Sequence, residues 1–490
     1  MDPTRLYDDA LSVLLGDGLA DVVDLVLLAR GGIVEAHARD GSVGFHGSGR
    51  VAWRRGRDPL AQRDPGAFAT LDEELVNRRP ANHHNHYPYA YDNVAQLFDD
   101  PRAPDLAVVH TPAHNWEERG GHRGEHGSPD VVQSRAPLIM AGAGIRRMGR
   151  IDRAARMVDV GPTLAVLAGV EPSSAGEQLR GQQGRVLEEV LDPAERPEHV
   201  VAVLCDGTNA NVLYAMADAG ELPAFAGLMA EGTTFGHGCI ASFPSVTLAN
   251  HTTALTGLHP GAHGVLHNFY FDRRTKRRIV TNAPDRWHLA RDEIAGSAET
   301  VFEAVAARGG RGFTAAVNEP VDRGASSATF DLLRTGAIGL DAFAVSPDPA
   351  IPGATQRFAD LKREYAFSSI ADNLAVRQMR DLWGGSAGNP RPRFQWINLI
   401  LPDAANHAGG PYSDIGHAGL RDTDRRLGQI LEQLDPTHSR TAVVVLADHG
   451  MEESDPDCKG DWDEALAAAG IPFRDEGYGF VYFGDEETRT

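Results

Sequence analysis

The chain has 490 residues, of which 42% are hydrophobic and 23% are charged, and this composition excludes a disordered or fibrous protein. A chain of this length is expected to form about three domains or one large α/β domain. The formal net charge of -21 excludes a general affinity for nucleic acid duplexes and anionic membranes. A small anionic substrate remains compatible with this charge if metal ions lie in the site.

The N-terminal residues contain no basic segment followed by an apolar one, so we expect no signal peptide. The apolar runs, such as the one that begins at Val22, are too short to span a bilayer. Three cysteines, Cys205, Cys239 and Cys458, are too few for a disulfide framework and suit a reducing compartment. The sequence therefore predicts a cytoplasmic protein.

Short apolar runs alternate with helical patterns along the chain. The predicted strands begin, in chain order, at Val22, Asp105, His199, Phe394, Thr441 and Tyr478. Helical patterns begin at Asp8, Arg156, Glu221, Glu299 and Ala418. Continuous Val, Ile and Leu runs of this length are typical of strands that are buried on both faces of a parallel sheet. The alternation predicts an α/β fold. Residues 171–198 are polar and read as a surface connector around one short helix, Val186–Leu191.

Three of the predicted strands end at an aspartate, and two of these aspartates have a histidine nearby. Asp206 follows the first of these strands, Asp403 lies four residues before His407, and Asp448 precedes His449. Aspartate and histidine are ligands that divalent metals prefer. In open α/β sheets, ligands bind beyond the carboxyl ends of the strands. These five side chains would suffice for two adjacent metal ions if one or two further ligands came from elsewhere.

Thr247 is the candidate nucleophile, because it precedes the helical stretch LANHTTALTG. A hydroxyl group at a helix N-terminus beside a metal ion is activated both by the ion and by the N–H groups of the helix. The alternative is that Thr247 is an N-cap without chemical function.

The motifs resemble those of the alkaline phosphatase superfamily, in particular the type I phosphodiesterase/nucleotide pyrophosphatase family. They are LCDG before Thr208, PSVTLANH from Pro244, TGLHPGAHG from Thr256, NFYFD from Asn268, PDAANH from Pro402 and ADHGM from Ala447. The NFYFD motif is also similar to that of phosphonoacetate hydrolases. The resemblance implies a three-layer α/β/α fold with a largely parallel central sheet.

The resemblance also implies a role for each candidate residue. Asp206, Thr247, Asp448 and His449 would bind the metal ion that activates Thr247, and Asp403 and His407 would bind a second ion. Asn268 would donate a hydrogen bond to a phosphoryl oxygen. Zinc suits these ligands best, and manganese or iron would also be accepted. Thr247 would form a threonine-phosphoryl intermediate, which water would then cleave.

The family's last metal ligand, a histidine near the C-terminus, has no equivalent after His449. The resemblance implies that His126 takes this role. The segment GHRGEHGSPDVVQSRAPLIMAGAGI, which begins at Gly121 and contains His126, is similar to the family's closing segment. His114 and His122 are rivals for this role, whereas His251 and His263 are expected to support the structure.

We therefore expect a circularly permuted chain that forms one catalytic domain. Residues 1–170 would correspond to the family's C-terminal part, 171–198 to the joint, and 199–490 to the part with the nucleophile and the remaining ligands. The competing interpretation is two separate domains, the second of which has lost a ligand. A domain whose termini lie close together on the surface tolerates permutation.

The motifs favour a hydrolase of small phosphodiesters, such as a nucleotide pyrophosphatase. The alternatives are a phosphomonoesterase, a hydrolase of the phosphonoacetate type, and a pseudoenzyme that binds phosphate groups or a protein partner. All the candidate residues are present, which argues against the pseudoenzyme.

Overall fold

The computed structural model describes residues 3–115, 121–310, 312–337, 361–385, 388–434 and 440–484. Its α-helices span Pro3–Leu14, Leu71–Val76, Ala90–Ala95, Val131–Ser134, Met157–Leu167, Ala210–Asp218, Pro223–Glu231, Thr247–Thr256, Pro260–His263, Val301–Arg308, Asp331–Arg334, Leu361–Trp383, Leu401–Gly409, Asp414–Leu434 and Trp462–Ala468. Among these residues, none of the helices combines the length and apolar character that crossing a membrane requires.

The central sheet has eight strands. In spatial order they are Ser327–Ala328, Thr314–Val317, Phe394–Leu399, His199–Cys205, Thr441–Leu446, Leu138–Gly142, Thr233–Phe235 and Gly149–Ile151. The first five run parallel to one another, and Leu138–Gly142 is antiparallel to both of its neighbours. The expected largely parallel α/β sheet is confirmed, and the three strands that precede the aspartates lie side by side in it.

Both faces of this sheet are covered, as the continuous apolar runs predicted. Along His199–Cys205 the side chains alternate between two core clusters: Val200, Ala202 and Leu204 face one, and Val201, Val203 and Cys205 face the other. Full burial of a Val or Leu side chain stabilises the fold by about 1.5–3 kcal/mol. Helices Met157–Leu167 and Thr247–Thr256 supply residues to the first cluster, and Pro223–Glu231 and Asp414–Leu434 supply the second.

A second sheet of seven strands is entirely antiparallel, which the sequence pattern did not indicate. In spatial order its strands are Phe473–Glu476, Phe480–Phe483, Leu106–His110, Val23–Arg30, Ile33–Ala38, Gly41–Phe45 and Val51–Gly56. The predicted strands at Val22 and Asp105 therefore pair antiparallel with each other instead of joining the parallel sheet. Gly31 and Gly32, both with positive φ, form the tight turn of the first hairpin. Such a two-glycine turn between apolar runs is a hairpin signal.

The two ends of the described chain meet in this second sheet. Phe480–Phe483 pairs with Leu106–His110, and the N-terminal helix packs against the same region, with the rings of Tyr7 and Phe483 in an edge-to-face contact at 5.3 Å. Strands from the beginning and the end of the sequence thus share one sheet and one core cluster.

The predicted connector runs as extended and turn segments with a short 3-10 helix, Glu188–Val190. Leu179, Leu187 and Val190 within it are buried in the same cluster as one face of the central sheet. The connector is therefore packed onto the α/β core. The three cysteines are unpaired.

Candidate active site

The parallel strand ends bring the predicted metal ligands together. Asp206 follows the strand His199–Cys205, and Asp448 and His449 follow the neighbouring strand Thr441–Leu446. Asp403 and His407 lie one turn apart on helix Leu401–Gly409, which follows the strand on the other side. Side chains four residues apart share one face of a helix.

Asp206, Asp448 and His449 form the first group of potential ligands. His449 Nε2 lies 3.1 Å from Asp448 Oδ2 and 3.8 Å from Asp206 Oδ1. All three residues are buried. Asp448 Oδ1 also accepts a hydrogen bond from the N–H of Gly207 at 3.1 Å.

Gly207 permits the close approach of Asp403 to this strand end. Its φ is +59°, and a Cβ atom at this position would lie 2.5 Å from Asp403 Oδ1. Any other residue would push Asp403 away from Asp206. The Asp-Gly pair at the strand end is therefore a geometric requirement of the site.

Thr247 is the first residue of helix Thr247–Thr256, and Val246 occupies the N-cap position. The alternative interpretation of Thr247 as an N-cap is therefore wrong. Its side chain is nearly buried, with 7% exposure, and it lies between two cavities that also contain Asp403 and His407. The hydroxyl group thus lies beside the ligand groups, at the positive end of a helix.

His251 belongs to the first group, although the sequence analysis assigned it a supporting role. It lies one helical turn after Thr247, and its Nε2 is 3.6 Å from Asp448 Oδ2 and 3.8 Å from Asp206 Oδ2. Its Nδ1 is 2.9 Å from Glu319 Oε2. The spacing of four residues between Thr247 and His251 is the signal that could have placed it in the site.

Asp403, His407 and His126 form the second group. Asp403 Oδ1 lies 3.4 Å from His407 Nε2 and 3.9 Å from His126 Nε2. The ring of His126 stacks on that of His449, with centroids 3.7 Å apart. A residue from the first two-fifths of the chain thus enters the site formed by the remainder.

His126 is held by the loop that precedes Thr247. Its Nδ1 is bonded to the carbonyl oxygen of Ser245 at 2.9 Å, and the N–H of Gly127 donates to the Ser245 hydroxyl oxygen at 3.0 Å. Of its rivals, His114 bonds the carbonyl oxygen of Gly460 and lies outside the groups of potential ligands. His122 lies beside His407, with ring centroids 4.3 Å apart. His263, by contrast, has the predicted supporting role, since both its ring nitrogens have hydrogen-bond partners.

The histidines that face the aspartates are all oriented through Nδ1. His407 Nδ1 bonds the carbonyl oxygen of Gly124 at 2.7 Å, and His449 Nδ1 bonds that of Gly450 at 2.8 Å. Hydrogen bonds of this kind fix the ring and leave Nε2 for a metal ion. Burial lowers the pKa of His407 to about 4 and that of His126 well below its usual range. Both rings are therefore neutral near pH 7, as metal coordination requires.

Several buried polar atoms at the centre of the site have no hydrogen-bond partner. They are Asp206 Oδ1, His251 Nε2, Asp403 Oδ1, Asp448 Oδ2 and His449 Nε2. Burial, followed by the neighbouring carboxylates, raises the pKa of Asp206 well above its usual range. The pKa of Asp403 is raised to about 6, chiefly by burial. Unpartnered buried atoms are costly, and a divalent cation would satisfy these and relieve the repulsion. The residues therefore fit metal ions.

Asn268 lies beside the start of helix Thr247–Thr256. Its Oδ1 accepts a hydrogen bond from the N–H of Leu248 at 3.1 Å, so the amide nitrogen of the side chain remains as a donor. Asn268 lines the same cavity as Thr247.

Two cavities meet at Thr247. One, of about 230 Å³, extends towards the second sheet and is lined by residues that include Asn268, Phe269 and Tyr478. The other, of about 350 Å³, extends towards Trp287 and Phe367, whose rings stack with centroids 6.4 Å apart. The site therefore adjoins two cavities that meet at Thr247, Asp403 and His407.

The model of the type I phosphodiesterase / nucleotide pyrophosphatase family matches residues 200–488, which is more than half of the chain. Mouse ectonucleotide pyrophosphatase/phosphodiesterase family member 3 is 26% identical over 219 residues, covering 44% of this chain and 21% of the mouse protein. Human family member 1 is 25% identical over 252 residues, covering 51% of this chain and 23% of the human protein. The matches thus span less than a quarter of these relatives.

Among solved structures, murine ectonucleotide pyrophosphatase / phosphodiesterase 5 aligns with a TM-score of 0.34 and 18% identity, covering 51% of this chain and 57% of that one. Phosphonoacetate hydrolase from Sinorhizobium meliloti aligns with a TM-score of 0.35 and 19% identity, covering 56% of this chain and 59% of that one. On the evidence of the family model, the chain belongs to the type I phosphodiesterase / nucleotide pyrophosphatase family.

Proposed function

We propose that the protein is a metal-dependent phosphodiesterase of the nucleotide pyrophosphatase type, with Thr247 as its nucleophile. The observation that carries the proposal is the convergence of Thr247 with two groups of Asp and His side chains, in which buried atoms of Asp206, Asp403, Asp448 and His449 lack hydrogen-bond partners. The family membership of the chain supports the same reaction class.

Two divalent ions would be held by these groups. Asp206, Asp448 and His449 would hold the first ion together with Thr247, and Asp403, His407 and His126 would hold the second. When bound, such ions supply Lewis acidity towards the nucleophile, the phosphoryl oxygens and the leaving oxygen. The mixture of Asp and His favours zinc, and manganese or iron would also fit.

The chain's own residues position the substrate and stabilise its developing charge. The hydroxyl oxygen of Thr247 attacks phosphorus in line, the bond to the leaving oxygen breaks as the threonine-phosphoryl ester forms, and the hydroxyl proton is released with the leaving group. The side-chain amide of Asn268 and the N-terminus of the helix donate hydrogen bonds to a non-bridging oxygen, which becomes more negative in the transition state. Water then attacks the phosphorus of the ester, and the threonine hydroxyl is regenerated.

The two cavities at Thr247 favour a diester over a monoester. A diester carries two substituents, and an in-line attack separates the leaving group from the group that is retained. Each cavity would take one of them. The aromatic side chains Trp287, Phe330 and Phe367 in the larger cavity suit a planar ring such as a nucleobase.

We also propose that the chain is circularly permuted and that residues 1–170, 171–198 and 199–490 build one catalytic domain. Three observations support this. His126 stacks on His449, the connector packs into the α/β core, and the C-terminal strand pairs in the same sheet as the N-terminal strands. Separate domains would not share a ligand set and a sheet.

The test is hydrolysis of bis-p-nitrophenyl phosphate beside p-nitrophenyl phosphate, with zinc or manganese added and Thr247→Ala as the control. The proposal predicts faster cleavage of the diester, dependent on Thr247. Faster cleavage of the monoester would replace the proposal with a phosphatase. If neither is cleaved but phosphonoacetate is, the enzyme is a phosphonate hydrolase, and if nothing is cleaved it is a pseudoenzyme.

A further inference from the structure

We infer that His267 binds a hydroxyl group of the substrate substituent that occupies the smaller of the two cavities at Thr247. The inference rests on the proposed function and narrows its substrate class. One alcohol of the diester would carry a further hydroxyl group, as glycerol or a sugar does. His267 lies between the motifs that carry the resemblance, and the proposed mechanism does not use it.

His267 is a buried histidine whose ring makes no hydrogen bond with the described residues. The residue is 6% exposed, and its Nδ1 is enclosed without a partner. The buried histidines His251, His263 and His449 each have at least one ring nitrogen in a hydrogen bond. A buried polar group without a partner is costly, so its presence here indicates a role in binding a ligand.

The ring of His267 is held by packing instead. It makes edge-to-face contacts with the rings of Phe269 and Phe480, with centroids 5.8 Å and 5.0 Å apart. Gly477 has a φ of +60°, and a Cβ atom at this position would lie 2.9 Å from His267 Nδ1. Only glycine lets the chain pass so close to the ring. A ring enclosed in this way is already oriented, so little conformational entropy is lost when it binds a ligand.

Nε2 is the ring nitrogen that a ligand can reach. Nδ1 is enclosed beside Gly477, whereas Nε2 has no partner among the described residues and is not fully enclosed. The ring lines the smaller cavity together with Thr247 and Asn268. The backbone is fixed here, because the Thr281 hydroxyl group donates to the carbonyl oxygen of His267 at 3.1 Å and the Thr281 N–H donates to that of Asn268 at 2.8 Å. His267 and Asn268 therefore reach one cavity from adjacent positions.

The chemistry of this nitrogen suits a hydroxyl group. Burial lowers the pKa of His267 to about 3, so the ring is neutral near pH 7 and has no charge with which to attract an anion. Nε2 donates a hydrogen bond in one tautomer and accepts one in the other, and a hydroxyl group can pair with it in both.

The remaining wall of the smaller cavity suits the carbon chain of an alcohol. Val108, Phe243 and Phe480 supply apolar surface beside the polar groups. Cavities of this kind bind a ligand by apolar contact and orient it through a few polar groups. Since the aromatic cavity would take a nucleobase, the substituent beside His267 is the other alcohol of the diester.

The test compares the 3-hydroxypropyl and butyl esters of thymidine 5′-monophosphate on the zinc-loaded, full-length protein. A methyl group replaces the distal hydroxyl group in the butyl ester, so the ratio of the two kcat/KM values isolates the contribution of that hydroxyl group. The variants are His267→Leu and His267→Gln. His114→Leu is the matched control, because His114 lines the same cavity but its Nε2 bonds the carbonyl oxygen of Gly460. Circular dichroism verifies folding, and if His267→Leu does not fold, His267→Phe takes its place.

We expect wild type and His114→Leu to prefer the hydroxypropyl ester by at least about tenfold, and His267→Leu to lose this preference. His267→Gln should retain part of it, because its amide still donates and accepts hydrogen bonds. The absence of a preference in wild type, or a preference that His267→Leu leaves unchanged, would overturn the inference. An equal loss in His114→Leu would also overturn it, because the effect would not be specific to His267.

Binding of the same esters to Thr247→Ala, with and without His267→Leu, is measured by calorimetry and needs no turnover. If wild type cleaves neither ester but the preference in affinity depends on His267, only the proposed function fails. If cleavage depends on Thr247 but shows no preference for the hydroxyl group, only the role of His267 fails.

Discussion

Asp372 holds the start of the helix that carries Asp403 and His407. It is fully buried on helix Leu361–Trp383, and its carboxylate accepts hydrogen bonds from the N–H groups of Ile400 at 2.8 Å and Leu401 at 3.2 Å. These two amides lie at the helix N-terminus, where no partner within the helix exists. We predict that Asp372→Ala destabilises the protein and weakens binding of the second metal ion.

The magnitude follows from the two amides that lose their acceptor. A lost helix cap costs about 0.5–2 kcal/mol, and an unsatisfied buried donor costs about 1–3 kcal/mol. Since both apply, we expect the free energy of unfolding to fall by about 3 kcal/mol. Asp372→Asn keeps one acceptor oxygen, so we expect its free energy of unfolding to fall by only about 1 kcal/mol. Denaturant unfolding of the chelated protein measures both values.

The same residue predicts a pH dependence. Burial raises the pKa of Asp372 from 3.8 to about 7, although Arg426 opposes the shift. The folded protein therefore keeps a proton that the unfolded chain releases, and this group's contribution to stability falls as pH rises from about 4 to about 7. The difference in the free energy of unfolding between wild type and Asp372→Asn should therefore become smaller as the pH rises over this range. A stability difference that does not change with pH, or an Asp372→Ala variant as stable as wild type, would show that Asp372 does not hold the start of this helix.

The remaining predictions concern the metal site. Removal of metal by a chelator should lower the melting temperature in calorimetry, because each ion present at 100 times its Kd stabilises the folded state by about 2.7 kcal/mol. An unchanged melting temperature would contradict metal binding at this site. His126→Ala should lose one of two metal equivalents in elemental analysis, and a fully metallated, fully active variant would refute its role. Asn268→Ala should reduce kcat about 100-fold with both ions retained, and an unchanged kcat would exclude it as a donor. His251→Ala should lower the affinity for the metal ion at Asp206, Asp448 and His449, as measured by chelator competition. An equal loss of affinity for both ions would indicate general destabilisation instead.

The parallel part of the fold was predictable because each central strand is a continuous apolar run that ends in a polar turn. The run from His199 to Cys205 has the bounds of the strand in the structure. The antiparallel sheet was not recognised, because the run from Val22 looks as apolar as a parallel strand, and one of its two partners, Leu106–His110, lies far from it in the sequence. Hydrophobic periodicity alone does not distinguish a strand of a parallel sheet from one of an antiparallel sheet. The Gly31-Gly32 turn does, because it indicates a hairpin.

The candidate ligands were predictable from their residue types at strand ends, and the structure brings together Asp206, Asp403, His407, Asp448 and His449. His126 was found only through the resemblance, because no spacing in the sequence links it to residues almost 300 positions later. The position of His251 beside Asp206 and Asp448, and its contact with Glu319, were not predicted. Their proximity depends on how the nucleophile helix packs beside another strand of the central sheet, which no local pattern encodes.

The most direct test of Thr247 as the proposed nucleophile is to trap a covalent adduct on it. The metal-loaded enzyme would be mixed with the p-nitrophenyl ester of thymidine 5′-monophosphate, quenched in acid before the steady state, and analysed by peptide mass spectrometry. We expect a burst of p-nitrophenol and a nucleotidyl group on the peptide that contains Thr247, both absent in Thr247→Ala. Turnover by Thr247→Ala at the wild-type rate, with no adduct on the wild-type peptide, would contradict it.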